Sequence, residues 1–111
     1  MTKIEQQLTS IERQMNILSR IDDFEKDVED FLTGLPNGKF DNNLYQIILL
    51  KLDIMQDYAI GHEQHLLNTT QANFRSLKGF WIEKDSNLFW ESVRIVKRHI
   101  KILKQRLDDS I

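Results

Sequence analysis

Apolar residues recur along this chain at steps of three and four, the spacing that lines one face of an α-helix. In the first segment, about Thr2 to Thr33, Leu8, Ile11, Met15 and Leu18 follow that rhythm, and Ile21, Phe24, Val28, Phe31 and Leu35 resume it. The two halves are out of phase, because Leu18 to Ile21 is a step of three where four was due. Such a slip rotates the apolar stripe. One continuous helix that bends is expected, with a break near residues 19–23, capped by Asp22 or Asp23, as the alternative.

Gly34-Leu35-Pro36-Asn37-Gly38 is the clearest punctuation. Gly34 suits the left-handed position after a helix, Pro36 blocks continuation, and Asn37-Gly38 suits a turn. Asp41 then offers an N-cap for a second helix with the seam Tyr45, Ile48, Leu52, Met55, Ala59. Leu44, Ile47, Leu49 and Ile54 widen its stripe, as in a helix packed between two neighbours. The signal weakens after Leu67: Asn68-Thr69-Thr70 are poor interior helix residues, and residues 70–79 read as a short helix or a continuation. Asp85 or Ser86 caps the last helix, whose stripe Phe89, Val93, Val96, Ile100, Leu103, Leu107 keeps strict 4-3-4-3-4 spacing.

Helices of 22 to 30 residues would be on the order of 33–45 Å long at 1.5 Å per residue. Three such rods with short connections predict an all-α, antiparallel up-down bundle forming a single domain over residues 1–111. A break near 19–23 and a short helix near 70–79 would raise the count to four or five. Period-2 strands, long repeats and low-complexity tracts are absent from the sequence.

Composition narrows the function classes. The 111 residues are 41% hydrophobic and 29% charged with a net charge of -2, so electrostatic preference must come from how charge is distributed. No cysteine is present, which removes disulfides, thiolate metal sites and cysteine nucleophiles. The polar start and the short longest apolar run, Ile47-Ile48-Leu49-Leu50, predict a cytoplasmic protein with no membrane association. Isoleucine occurs 13 times and alanine only twice. In a helical protein that usage suggests AT-rich coding, as in low-GC bacteria and their phages.

Two motifs invite catalytic or metal readings. His62-Glu63-Gln64-His65 places two histidines on one helix face, with His62 on the Tyr45 seam and so partly buried, and His65 at the surface. It is not His-Glu-x-x-His, and the sequence implies no metal and no cofactor. Arg94-Ile95-Val96-Lys97-Arg98-His99 matches Arg-x4-His and resembles the signature of HEPN ribonucleases, small all-helical proteins in which the arginine and histidine act on RNA across a dimer interface. The resemblance covers six residues and departs from the family at the apolar Ile95 and in lacking a tyrosine two residues after His99. Arg94 and His99 would lie about 140° apart around a helix. Neither a phosphate-cradling glycine loop nor a Gly-x-Ser-x-Gly elbow is present, and the chain reads as a non-enzyme.

Charge and aromatics say more. Asp22, Asp23, Glu25, Asp27, Glu29 and Asp30 crowd nine residues, whereas the last helix carries Arg94, Lys97, Arg98, Lys101, Lys104 and Arg106. These faces either pair internally or dock partners. Half of the ten aromatics fall within residues 74–90, as a plug at one end or a binding hot spot around Gly79-Phe80-Trp81. Trp90 shares a flank with Arg94, Lys97 and Lys101 at helical spacing. Phe80, Trp81, Trp90, Arg94, Lys97 and Lys101 are therefore the expected protein-binding residues. The expected function is a small non-enzymatic inhibitor, adaptor or assembly factor of bacterial or phage origin, acting through a protein partner. A nucleic-acid binder using the basic last helix and a HEPN-like ribonuclease toxin are the alternatives, and a homodimer suits all three.

Overall fold

The computed structural model describes the backbone of residues 3–110 and the side chains of residues 11–109. It is all-helical, with four α-helices: α1 (Lys3–Gly34), α2 (Asn42–Tyr58), α3 (Gly61–Ile82) and α4 (Ser86–Ser110), plus a 3-10 turn at Leu35–Asn37. Among the described residues no helix is long and apolar enough to cross a membrane.

α1 is continuous through residues 19–23. Its phase slip dissolves once the buried line is seen: Ile17, Ile21, Phe24, Val28, Phe31 and Leu35 keep 4-3-4-3-4 spacing and are all buried. Ile11 and Met15 are about half exposed, because they sit about 120° and 160° around the helix from Ile17. Leu18 packs at the edge of the core, and the Leu8 side chain lies outside the described residues. Ile11 and Met15 of the expected stripe therefore face outward.

The expected second helix is two. Ala59 and Ile60 are extended and Gly61 takes φ +60°, which folds residues 42–82 into a hairpin of α2 against α3. Gly61 supplies the left-handed backbone that a residue with a Cβ adopts at a cost. Residues 70–79 accordingly lie inside α3, with no separate short helix. The polar run there is helical, and Thr69, Thr70, Asn73 and Ser76 each donate to the carbonyl four residues earlier, at 2.7–3.0 Å, so that their side chains do not compete for the helix N–H groups. Buried Gln71 joins the two helices, donating to Asp53 Oδ1 at 2.6 Å and accepting from Gln56 at 2.8 Å.

The side-chain caps of α2 and α4 fall where the sequence places them, whereas the glycine of the first turn is exchanged. Asp41 and Asp85 accept from the backbone N–H of Leu44 and Leu88 at 3.0 and 3.1 Å. Gly34 is right-handed, and the left-handed glycine of that turn is Gly38, at φ +75°. Phe40, just before the Asp41 cap, packs on Tyr45 with ring centroids 5.2 Å apart, a hydrophobic staple that fixes the entry into α2.

Asn42 meets Lys78 and Tyr45 meets Arg75 between α2 and α3; Lys51 meets Asp23 across α1–α2. Lys97 meets Glu29 and Lys104 meets Asp22 across α1–α4, and Trp81 meets Phe89 at the α3–α4 turn. Every member of the predicted α4 stripe, Phe89 to Leu107, is buried. The seam a coiled-coil partner would use is thus consumed within the chain.

Candidate interaction surfaces

One end of the molecule is filled by aromatic rings. Phe31 contacts Phe40 edge-on at 5.1 Å and Phe74 at 5.6 Å, Tyr45 stacks on Phe74 at 5.3 Å, and Phe40 reaches Trp81 at 5.8 Å. The series continues from Trp81 to Phe89 at 5.8 Å and from Phe89 edge-on to Trp90 at 5.2 Å. Such pairs add modestly to the burial of large apolar area. Phe74 and Phe89 are buried, Phe80 and Trp81 are half-buried against the core, and Trp90 is 45% exposed. The 74–90 cluster is therefore a plug on its inner side, and its outer edge remains at the surface.

The connection between α3 and α4 gives that edge a fixed shape. Gly79, Phe80 and Trp81 belong to α3, and the turn itself is Glu83–Asp85, four residues later than the sequence suggested. The Lys84 N–H donates to the Trp81 carbonyl at 3.2 Å and the Asp85 N–H to the Phe80 carbonyl at 2.9 Å. This is a Schellman closure with Lys84 left-handed at φ 58°. Around it Phe80, Trp81, Phe89 and Trp90 line a surface notch of about 320 Å³ with Lys84 and Asp85. Ile82 and Leu88, on either side of the turn, are 69% and 44% exposed.

The six expected binding residues do not form one surface. Phe80, Trp81 and Trp90 share the notch, whereas Lys97 and Lys101 line a separate crevice between α1 and α4. Arg94 is exposed and borders neither. Helical spacing does place Trp90, Arg94, Lys97 and Lys101 along one flank, but α1 comes alongside α4 below Trp90 and divides it.

The acidic and basic faces are neighbours. Lys104 contacts Asp22 at 2.7 Å and Glu25 at 3.2 Å, and Lys97 approaches Glu29 at 3.7 Å. Hydrogen bonds to Asp22 and Glu25 hold the Lys104 ammonium above the usual lysine range. Asp23 and Asp27 turn the other way and clasp Lys51 of α2, Asp23 at 2.6 Å. The hydrogen bond from Lys51 lowers the Asp23 carboxyl and raises Lys51 in turn. Sequence reading missed Lys51 because a single cation on an apolar helix carries no pattern.

His62 and His65 are both exposed, with rings 6.3 Å apart. The expected partial burial of His62 fails because the Ala59–Gly61 break resets the phase of the Tyr45 seam. Among the described residues no group of three histidine or carboxylate side chains is placed to hold a metal ion. His99 is half-buried, with Nδ1 enclosed and without a hydrogen-bond partner. Desolvation, then Arg98 and His65, push its imidazole below the usual range. Comparison with protein-family models, curated proteins and solved structures gives no match.

Proposed function

We propose that this chain is a non-catalytic protein-binding module, an inhibitor, adaptor or assembly factor, whose four helices form an up-and-down bundle that presents the α3–α4 turn. The observation that carries this reading is the aromatic notch. Trp90 stands 45% exposed beside Phe80, Trp81 and Phe89 on the helix ends that flank a turn braced by buried rings. A large aromatic held in place loses little conformational freedom on binding, and buried Trp anchors dominate many interfaces. Loops positioned by rigid helices are where binding residues concentrate.

The charge arrangement supports a protein over a nucleic acid as partner. Asp22, Glu25 and Glu29 pair Lys97 and Lys104 on the basic side of α4, which leaves a phosphate backbone no continuous basic track to follow. The test is affinity capture of the tagged chain from a low-GC bacterial lysate, with and without nuclease, beside the Trp90→Ala variant. A near-stoichiometric protein that survives nuclease and is lost with Trp90→Ala is the expected result. Recovered nucleic acid, or a partner indifferent to Trp90, would overturn the reading.

A further inference from the structure

The crevice between α1 and α4 shares no lining residue with the aromatic notch. Its floor is Phe24, Val28, Val96 and Ile100, all buried and all without polar side-chain atoms. One wall carries Glu25 and Glu29 of α1; the other carries Lys97, Lys101 and Lys104 of α4. The crevice has a volume of about 390 Å³, within the range of small-molecule sites, which join a mostly apolar lining to a few placed polar groups.

Two ion pairs span it. Lys104 reaches Glu25 at 3.2 Å at one end, and Lys97 reaches Glu29 at 3.7 Å at the other. Between them, one helical turn from each, stands Lys101, with no ion pair among the described residues. Lys104 is matched by both Glu25 and Asp22, and Lys97 by Glu29, so the rim as a whole is balanced and Lys101 is its one lysine without a carboxylate partner among the described residues. The lysine stems extend the apolar floor toward the mouth while their ammonium groups stay wet. Lys97 and Lys104 are seven residues apart, about 10 Å along the helix. A window of that length, closed at both ends, admits a small molecule and is too short for a docking helix.

We propose that this crevice binds a small amphipathic anion, its apolar body over Phe24, Val28, Val96 and Ile100 and its single anionic head on Lys101. An anion is selected because the unpaired charge is a cation. A cationic amphiphile would meet Lys101 with no free carboxylate, since Glu25 and Glu29 are already engaged. A charge-assisted contact to an ammonium is stronger than a neutral one, so the head group fixes orientation and the floor supplies area.

The experiment is a fluorescence titration of the full chain with 8-anilinonaphthalene-1-sulfonate, followed by displacement with decanoate or with decyltrimethylammonium. One saturable site is expected, emptied by decanoate and indifferent to the cationic amphiphile. Lys101→Glu should weaken the dye by about tenfold or more, and Lys101→Arg should restore it. Val28→Phe, which fills the floor, should also weaken it; Lys101 is exposed, so its variants read the site even where the larger ring disturbs folding. Trp90→Ala should leave the titration unchanged, which separates this site from the aromatic notch. No saturation below about 1 mM would overturn the proposal. So would equal displacement by the cation, binding indifferent to Lys101→Glu, or light scattering showing a dimer that Lys101→Glu dissociates.

Discussion

The Tyr45 hydroxyl donates to the backbone carbonyl of Arg75 at 2.6 Å, thirty residues along the chain. It joins the start of α2 to the end of α3 while its ring stacks on Phe74 and touches Phe40. Burial raises the phenol above its usual range, so it remains a donor at any ordinary pH. Tyr45→Phe keeps the ring and removes only this bond. A loss of about 1 kcal/mol is expected, near the usual net worth of a neutral hydrogen bond. Urea unfolding should show a lower midpoint at unchanged slope; an unshifted midpoint would mean that the bond contributes nothing.

Lys84 occupies the left-handed position of the α3–α4 closure, where glycine is the usual residue. A side chain there costs roughly 1–2 kcal/mol, and glycine gives back roughly 0.5–1 kcal/mol through the freedom of the unfolded chain. Lys84→Gly should therefore stabilise the protein by about 0.5–1 kcal/mol, read as a rise in thermal midpoint. A fall would show that the Lys84 side chain makes a stabilising contact at the notch.

How far the sequence foretold this structure depends on what each residue's role rested on. Roles set by local periodicity were legible: the α4 stripe from Phe89 to Leu107 is buried at every position, and Asp41 and Asp85 cap as expected. The α2–α3 hairpin was hidden because one glycine, Gly61, carries the break, and isolated glycines also occur within helices, as Gly79 does. Phe40 offered a readable signal in its N′ position before Asp41, with Tyr45 four residues after the cap. The division of the Trp90 flank was not readable at all, since it depends on where α1 comes alongside α4. Spacing within one helix fixes which residues share a face, and only packing decides what covers it.

Lys51 holds two carboxylates of α1, Asp23 and Asp27, from the middle of α2. Lys51→Met would keep the stem's packing and leave the two acids near each other without their cation. Midpoint stability should fall, and the loss should shrink as salt rises, because the pairs lie partly in solvent. The lowered Asp23 carboxyl sets the sign with pH: its contribution is present above the ordinary carboxylate range and is lost as pH falls through the folded value. The variant should accordingly show a shallower acid limb in a stability–pH curve. An identical limb would place the clasp outside the energetics.

His99 provides the opposite end of the pH argument. Its imidazole is held below 6.5 by desolvation, by Arg98 and by His65 across the α3–α4 seam, and its enclosed Nδ1 has no acceptor to reward protonation. In the unfolded chain the same group titrates at its ordinary value. Between the folded and unfolded values the unfolded state binds more protons, so stability rises with pH in that window. Stability should be full above about pH 7 and decline as pH falls below about 6.5, before most carboxylates titrate. His99→Gln removes the titration and should flatten the curve just below about pH 6.5. Urea midpoints measured across that range decide the matter: an unchanged slope in His99→Gln would mean that the half-buried imidazole is not what weakens the seam in acid.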